Sequence, residues 1–127
     1  MKLTPRRFAD TIVLSVSGRV DHATAEAFKE ALLGQLGTCA TDQDRVVLDM
    51  SGVDYIASVG LRALMLASRQ AKVQGGVLVT AALQPLVREV FEIAHFTLIF
   101  KTFPSVRDAV AEVSSAGLAA FEAAGAR

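Results

Sequence analysis

The chain has 127 residues, one domain's worth, and a chain this long can bury about two thirds of its unfolded surface. It is 52% hydrophobic and 20% charged, which excludes a disordered chain, and 13 basic residues balance 13 acidic ones. Zero net charge argues against the broad positive field that nucleic-acid binding needs.

A mean hydropathy of +0.41 raises the question of a membrane. The longest uncharged stretch, Val73 to Val87, is broken by Gln74, Gly75, Gly76, Gln84 and Pro85. A spanning helix needs about 18 or more apolar residues, so no membrane insertion is expected. Lys2, Arg6 and Arg7 precede no apolar run, so no signal peptide is read. Cys39 is the sole cysteine, which rules out an internal disulfide and makes the cytoplasm the expected compartment.

Thr11 to Val20 is rich in β-branched residues. Ile12, Leu14 and Val16 alternate with Val13, Ser15 and Ser17, which predicts a strand with one buried face. Leu3 to Phe8 can pair with it as a hairpin through Ala9 and Asp10, and Pro5 makes that first strand an edge. From Ala23 to Leu36 the period changes: Ala25, Phe28, Leu32 and Leu36 form one helical stripe. A polar loop, Thr38 to Asp44, is expected to expose Cys39. Arg45 to Met50 reads as a strand covered on both faces.

The clearest helix opens at Ser58 or Val59, with Leu61, Leu64, Met65 and Ala71 inward, and ends at Gly75 and Gly76. Val77 to Ala81 is a short apolar strand. Pro85 suits a first helical turn before Leu86 to Ala94, and Leu98 to Phe100 reads as a brief last strand. Ser105 caps a helix carrying Val106, Ala109, Val110 and Val113. The Ala- and Gly-rich tail, 114–127, is either helix or frayed chain, and 1–113 is taken as the single domain. The order β-β-α-β-α-β-α-β-α predicts an α/β fold: a mixed, mostly parallel sheet of four to five strands with about four helices packed on it.

Val46 to Lys72 is the informative stretch: a buried strand, a loop, then Ser58 at the start of a strong helix. Ser58 is placed as an N-cap, its hydroxyl accepting from a free N–H of the first turn. The same position suits a phosphate. That group brings roughly −1.5 to −2 charges and meets unpaired N–H groups and the positive end of the helix dipole. The fold should tolerate it, whereas a protein packed on the site would confront a desolvated dianion.

Asp49-Met50-Ser51-Gly52-Val53-Asp54-Tyr55-Ile56-Ala57-Ser58-Val59-Gly60-Leu61 resembles the D-x-S-G-[IV]-x-[FY]-[IM]-D-S-[ST]-G-[LV] run of the STAS domain family, specifically its stand-alone anti-sigma factor antagonists. Gly18-Arg19-Val20-Asp21 before Ala23-Thr24-Ala25 is similar to the family's G-x-[LIV]-D loop. Gln74-Gly75-Gly76 and Leu83 to Phe96 match its C-terminal half. The resemblance implies a protein that sequesters an anti-sigma factor serine kinase, is released by phosphorylation at Ser58, and is reset by a PP2C-type phosphatase. ATP and Mg²⁺ belong to those partners, and the domain itself needs no cofactor. Asp21, Thr24, Ala57, Ser58, Val59 and Arg62 are the candidate partner-binding residues, Asp21 through the resemblance and Arg62 because it follows Ser58 by four residues, in reach of a partner or a phosphate. Two positions depart from the pattern: Ala57 replaces the usual Asp before the serine, and Val59 replaces the usual Ser or Thr.

Each of these residues also has an ordinary role. Asp21 and Thr24 suit a helix-start loop, Asp49 and Asp54 suit turn hydrogen bonds, and Arg62 suits an exposed helix face. His22 and His95 lack further ligands for a metal. A serine hydrolase reading fails at Ile56-Ala57-Ser58-Val59-Gly60, where the first Gly of G-x-S-x-G is missing. An alternative of a different class is a constitutive structural subunit, since STAS-like domains also resemble accessory subunits of lipid-transport ATPases and elements of stress-sensing assemblies.

Overall fold

The computed structural model describes residues 1–125. Five strands form one sheet in the order β1-β2-β3-β4-β5: β1 Lys2–Phe8, β2 Thr11–Val20, β3 Arg45–Ile56, β4 Leu78–Ala81 and β5 Thr102–Phe103. β1 pairs antiparallel with β2, and every other neighbouring pair is parallel. The hairpin turns through Ala9 and Asp10 as expected, with Ala9 at φ 55°. Helices α1 (Ala25–Gly34), α2 (Ser58–Val73), α3 (Pro85–Ile93), α4 (Val106–Val113) and α5 (Ser115–Ala123) cover both faces of the sheet.

Strand alternation divides the core in two. Ile12, Leu14 and Val16 of β2 and Val46, Leu48 and Met50 of β3 point to one face, where they meet Phe28 and Leu32 of α1, Leu64 of α2 and Phe91 of α3. Val13, Val47 and Val79 point to the other face, against Val106 and Val110 of α4 and Phe121 of α5. Phe121 meets Phe8 edge-on, ring centroids 5.1 Å apart. β2 is therefore buried on both faces over Ile12 to Leu14, not on one. α4 shares this cover with the tail, which is helical over Ser115–Ala123 and capped by Ser114, whose hydroxyl accepts from Gly117 N–H. Residues 126 and 127 of that tail lie outside the described residues.

Three further expectations are corrected. Leu98 to Phe100 is not a strand: Phe96–Leu98 forms a 3₁₀ turn, and Phe100 packs in the core beside Phe91 and Phe96. Leu98 and Ile99 face solvent, and the last strand falls at Thr102–Phe103 instead. Cys39 is fully buried, its thiol donating to the Val77 carbonyl, and burial pushes that thiol up from its ordinary pKa. β3 does not stop at Met50 but stays paired with β2 to Ile56, because two bulges absorb extra residues. One lies between Asp49 and Gly52, where Asp49 Oδ1 accepts from Ser51 N–H, the turn bond expected of it. At Gly52 a Cβ would come within 2.9 Å of Ser17 Cβ and the Val16 carbonyl oxygen, so the strand passes here only as glycine.

The first turn of α2 has a similar constraint. A Cβ on Gly60 would lie 2.7 Å from Val20 Cγ1 and 2.8 Å from Ile56 Cγ1. Both are stiff β-branched side chains, at 0% and 4% exposure, with nowhere to swing. Gly60→Ala should therefore cost about 1–2 kcal/mol net of its better helix propensity, a melting point about 4–8 °C lower. An unchanged or raised melting point by calorimetry would contradict this packing.

A polar clasp closes the opposite end of the strands, where β2 and β3 begin. Arg7 donates to both Asp44 carboxylate oxygens, at 2.7 and 2.8 Å, and with help from the Thr38 hydroxyl holds that carboxyl at about 2, below its ordinary value of 3.8. Because the folded value is depressed, its stabilisation is complete above about pH 4 and is lost as pH falls toward 2. Arg7 is more than half exposed, so screening limits the contribution to about 1 kcal/mol. Asp44→Asn should remove that part of the acid dependence in denaturant titrations at pH 2 to 5. An identical slope in the parent chain and the variant would show that the clasp contributes nothing.

Candidate functional site

β2 and β3 end side by side, with Val20 paired to Ile56, and the chain then turns out of the sheet at both. Ala57 N–H donates to the Val20 carbonyl at 2.8 Å, which fixes where α2 begins. Ala57 itself is the N-cap, in extended conformation (φ −86°, ψ 169°), and its carbonyl accepts from Gly60 and Leu61 N–H at 2.9 and 3.1 Å. Ser58 is thus the first helical residue and not the cap, a correction to its expected place. Its hydroxyl makes no hydrogen bond among the described residues and is exposed.

The Ala57 methyl group, at 9% exposure, points inward, as Gly60 does. Ser58, half-buried Val59 and exposed Arg62 face outward. The close packing of Gly60 on Val20 and Ile56 sets that division: with the inner face against the strand ends, Ser58 is left on the outer face.

The β2–α1 loop stands next to this turn. Asp21 Oδ1 accepts from Ala23 and Thr24 N–H at 3.0 and 3.2 Å. The Thr24 hydroxyl donates to the Arg19 carbonyl at 2.9 Å and accepts from Asp21 N–H at 3.0 Å. Partial desolvation pushes the Asp21 carboxyl up, but these donors and Arg19 outweigh it and hold it below its usual range. The Arg19 guanidinium lies 4.2 Å from the Tyr55 ring centroid and 3.6 Å from Asp21. Asp21 and Thr24 therefore fix the shape of a loop beside Ser58, and both remain part-exposed.

Two hollows flank the turn. One, of about 230 Å³, lies between His22, Glu26 and Lys29 on the α1 side and Val59, Arg62 and Leu66 of α2. The other, of about 370 Å³, is lined by Ser58, Val59, Leu61, Arg62, Met65 and Phe96. Val59 and Arg62 line both. The sequence places Leu61 and Met65 only as core. Leu61 and Met65 are half-buried and double as the apolar floor beside Ser58. Met65 follows Ser58 by seven residues, two helical turns, which is the signal that could have put it on the Ser58 face.

Neither histidine hydrogen-bonds Ser58, so no nucleophile–base pair stands here, and among the described residues no group of His, Cys, Asp and Glu side chains could hold a metal ion. Among the same residues no helix is long and apolar enough to cross a membrane. Around the Ser58 hydroxyl the corner presents an apolar floor and the exposed Arg62.

Residues 3–109 match the STAS domain family. The chain is 38% identical over 116 residues to BtrV of Bordetella bronchiseptica, a protein designated an anti-sigma factor antagonist, with 91% of this chain and 97% of BtrV covered. It is 30% identical over 103 residues to RsfB of Mycobacterium tuberculosis, an anti-sigma-F factor antagonist, covering 80% of each chain. The crystal structure of an anti-sigma factor antagonist from Mycobacterium paratuberculosis superposes with a TM-score of 0.76 at 27% identity, over 88% of this chain and 92% of that one. With the five-stranded sheet, the serine at the head of α2 and these relatives in agreement, the chain belongs to the STAS domain family and, within it, to the anti-sigma factor antagonists.

Proposed function

We propose that this antagonist binds an anti-sigma factor serine kinase through the corner made by Asp21, Thr24, Ala57, Ser58, Val59 and Arg62, and that phosphorylation of Ser58 ends the complex. The exposed, unbonded hydroxyl on the first turn of α2 carries this reading. A hydroxyl tied into a cap would have to give up a structural bond before reacting, and this one does not.

In the transfer, Ser58 Oγ attacks the γ-phosphorus of ATP held by the kinase. The new O–P bond forms as the bond to ADP breaks, and the hydroxyl proton passes to a base of the kinase. The product phosphate lies next to the Ser58 and Val59 N–H groups, which have no backbone acceptor among the described residues, and at the positive end of a 16-residue helix. A docked partner would have to desolvate that dianion against Val59 and the apolar floor. Ala57 adds to the asymmetry, since its buried methyl places no carboxylate beside the phosphate. A PP2C-type phosphatase would hydrolyse the Ser58 ester and restore the binding form. The unmodified chain would thereby free a sigma factor in the cytoplasm, acting by binding and not by catalysis.

Incubation with the cognate kinase and Mg–ATP should add one phosphate, mapped to Ser58 by mass spectrometry. Ser58→Ala should accept none yet still bind the kinase, whereas Ser58→Asp should bind about 10- to 100-fold more weakly by calorimetry. A phosphate mapped elsewhere, or equal affinities for the two variants, would defeat the reading.

A further inference from the structure

Ser58 and Arg62 are four residues apart on α2, so their side chains leave the same helix face one turn from each other. Both line the hollow of about 370 Å³, and Arg62 is the one charged residue among those that line it. Arg62 is exposed and, among the described residues, makes no ion pair or side-chain hydrogen bond.

The neighbouring charges are otherwise engaged. Lys29 on α1 pairs with Glu26 at 3.0 Å, and Asp21 at the end of β2 is held by its own loop and Arg19. His22 lines only the adjoining hollow, and His95 precedes the 3₁₀ turn that contributes Phe96. Phosphoserine at position 58 would add three acceptor oxygens within a turn of a planar guanidinium fork shaped to receive them. The order, anion N-terminal to cation at this spacing, is the favourable one on a helix.

We infer that Arg62 clamps the phosphate of modified Ser58 onto the protein's own α2. The clamp makes the released form a self-contained state: the charge that expels the partner is held in place by the same helix, over the apolar floor that the partner would otherwise cover. Arg62 is a positioning residue for the phosphate. This inference rests on Ser58 being the modified residue.

The test uses full-length chain carrying phosphoserine installed at position 58 during translation, titrated by ³¹P NMR. The second phosphate ionisation should lie below the usual value of about 6, and Arg62→Gln should raise it by about 0.3–0.5 unit at low salt. Arg62→Lys, which keeps the charge, should retain at least half of the lowering. A Gln variant within about 0.1 unit of the parent, or a Lys variant no better than Gln, overturns the clamp. Because translation and not a kinase places this phosphate, a kinase that ignores Ser58 defeats the phosphorylation reading alone and leaves the titration to decide the clamp.

Discussion

The approach of Gly60 to Val20 and Ile56 is the contact on which the candidate surface depends. Any side chain there would lift the first turn of α2 off the ends of β2 and β3. With hydrogen alone at that position, the turn beds directly onto two buried β-branched residues. Its inner face is then fully spent on Ala57 and Gly60, and its outer face begins with Ser58. The backbone of Ser58 is held this way while its hydroxyl stays exposed. Its position is set by a backbone bond from Ala57 to Val20 and by core packing, and it owes nothing to bonds of the hydroxyl.

Support for that corner runs back through the sheet. The two bulges keep β3 hydrogen-bonded to β2 as far as Ile56, so α2 starts from a paired strand and not from a free loop. Gln84, at the head of α3, donates to the Ser51 carbonyl at 2.7 Å and ties the first bulge to the next helix. At the far end of α2, Gln74 donates to the Leu36 and Cys39 carbonyls, both at 2.7 Å, and anchors the helix to the loop before β3. On the reverse face α4 and α5 cover Val13 and Val47, so the strands that aim the site are packed from both sides.

Much of this was legible in the sequence. Switches between a period of two and a helical period marked the order of elements, and Ser58 ahead of an apolar stripe marked the candidate site. What was hidden involved the third dimension. Leu98, Ile99 and Phe100 look like a strand by composition, but only Phe100 finds a place in the core, against Phe91 and Phe96. Polar residues between Met50 and Ile56 suggested a loop, because bulges disturb the alternation that announces a strand. Cys39 sits in a polar segment yet is buried by Gly76 closing over it: a Cβ there would lie 2.4 Å from the Cys39 carbonyl oxygen. The cap was misplaced by one residue, and that residue matters. Moving the cap to Ala57 frees the Ser58 hydroxyl.

The proposed switch needs the scaffold to be indifferent to a charge that its partner is not. On that proposal the helix N-terminus would supply the indifference, and the apolar neighbours Val59, Leu61 and Met65 would supply the partner's intolerance. The direct measurement is thermal unfolding of the chain phosphorylated at Ser58 beside the unmodified chain. The melting points should agree within about 2 °C, with any difference favouring the phosphorylated form. A fall of more than about 5 °C would mean that the phosphate displaces packed structure, and the separation of fold from interface would not hold.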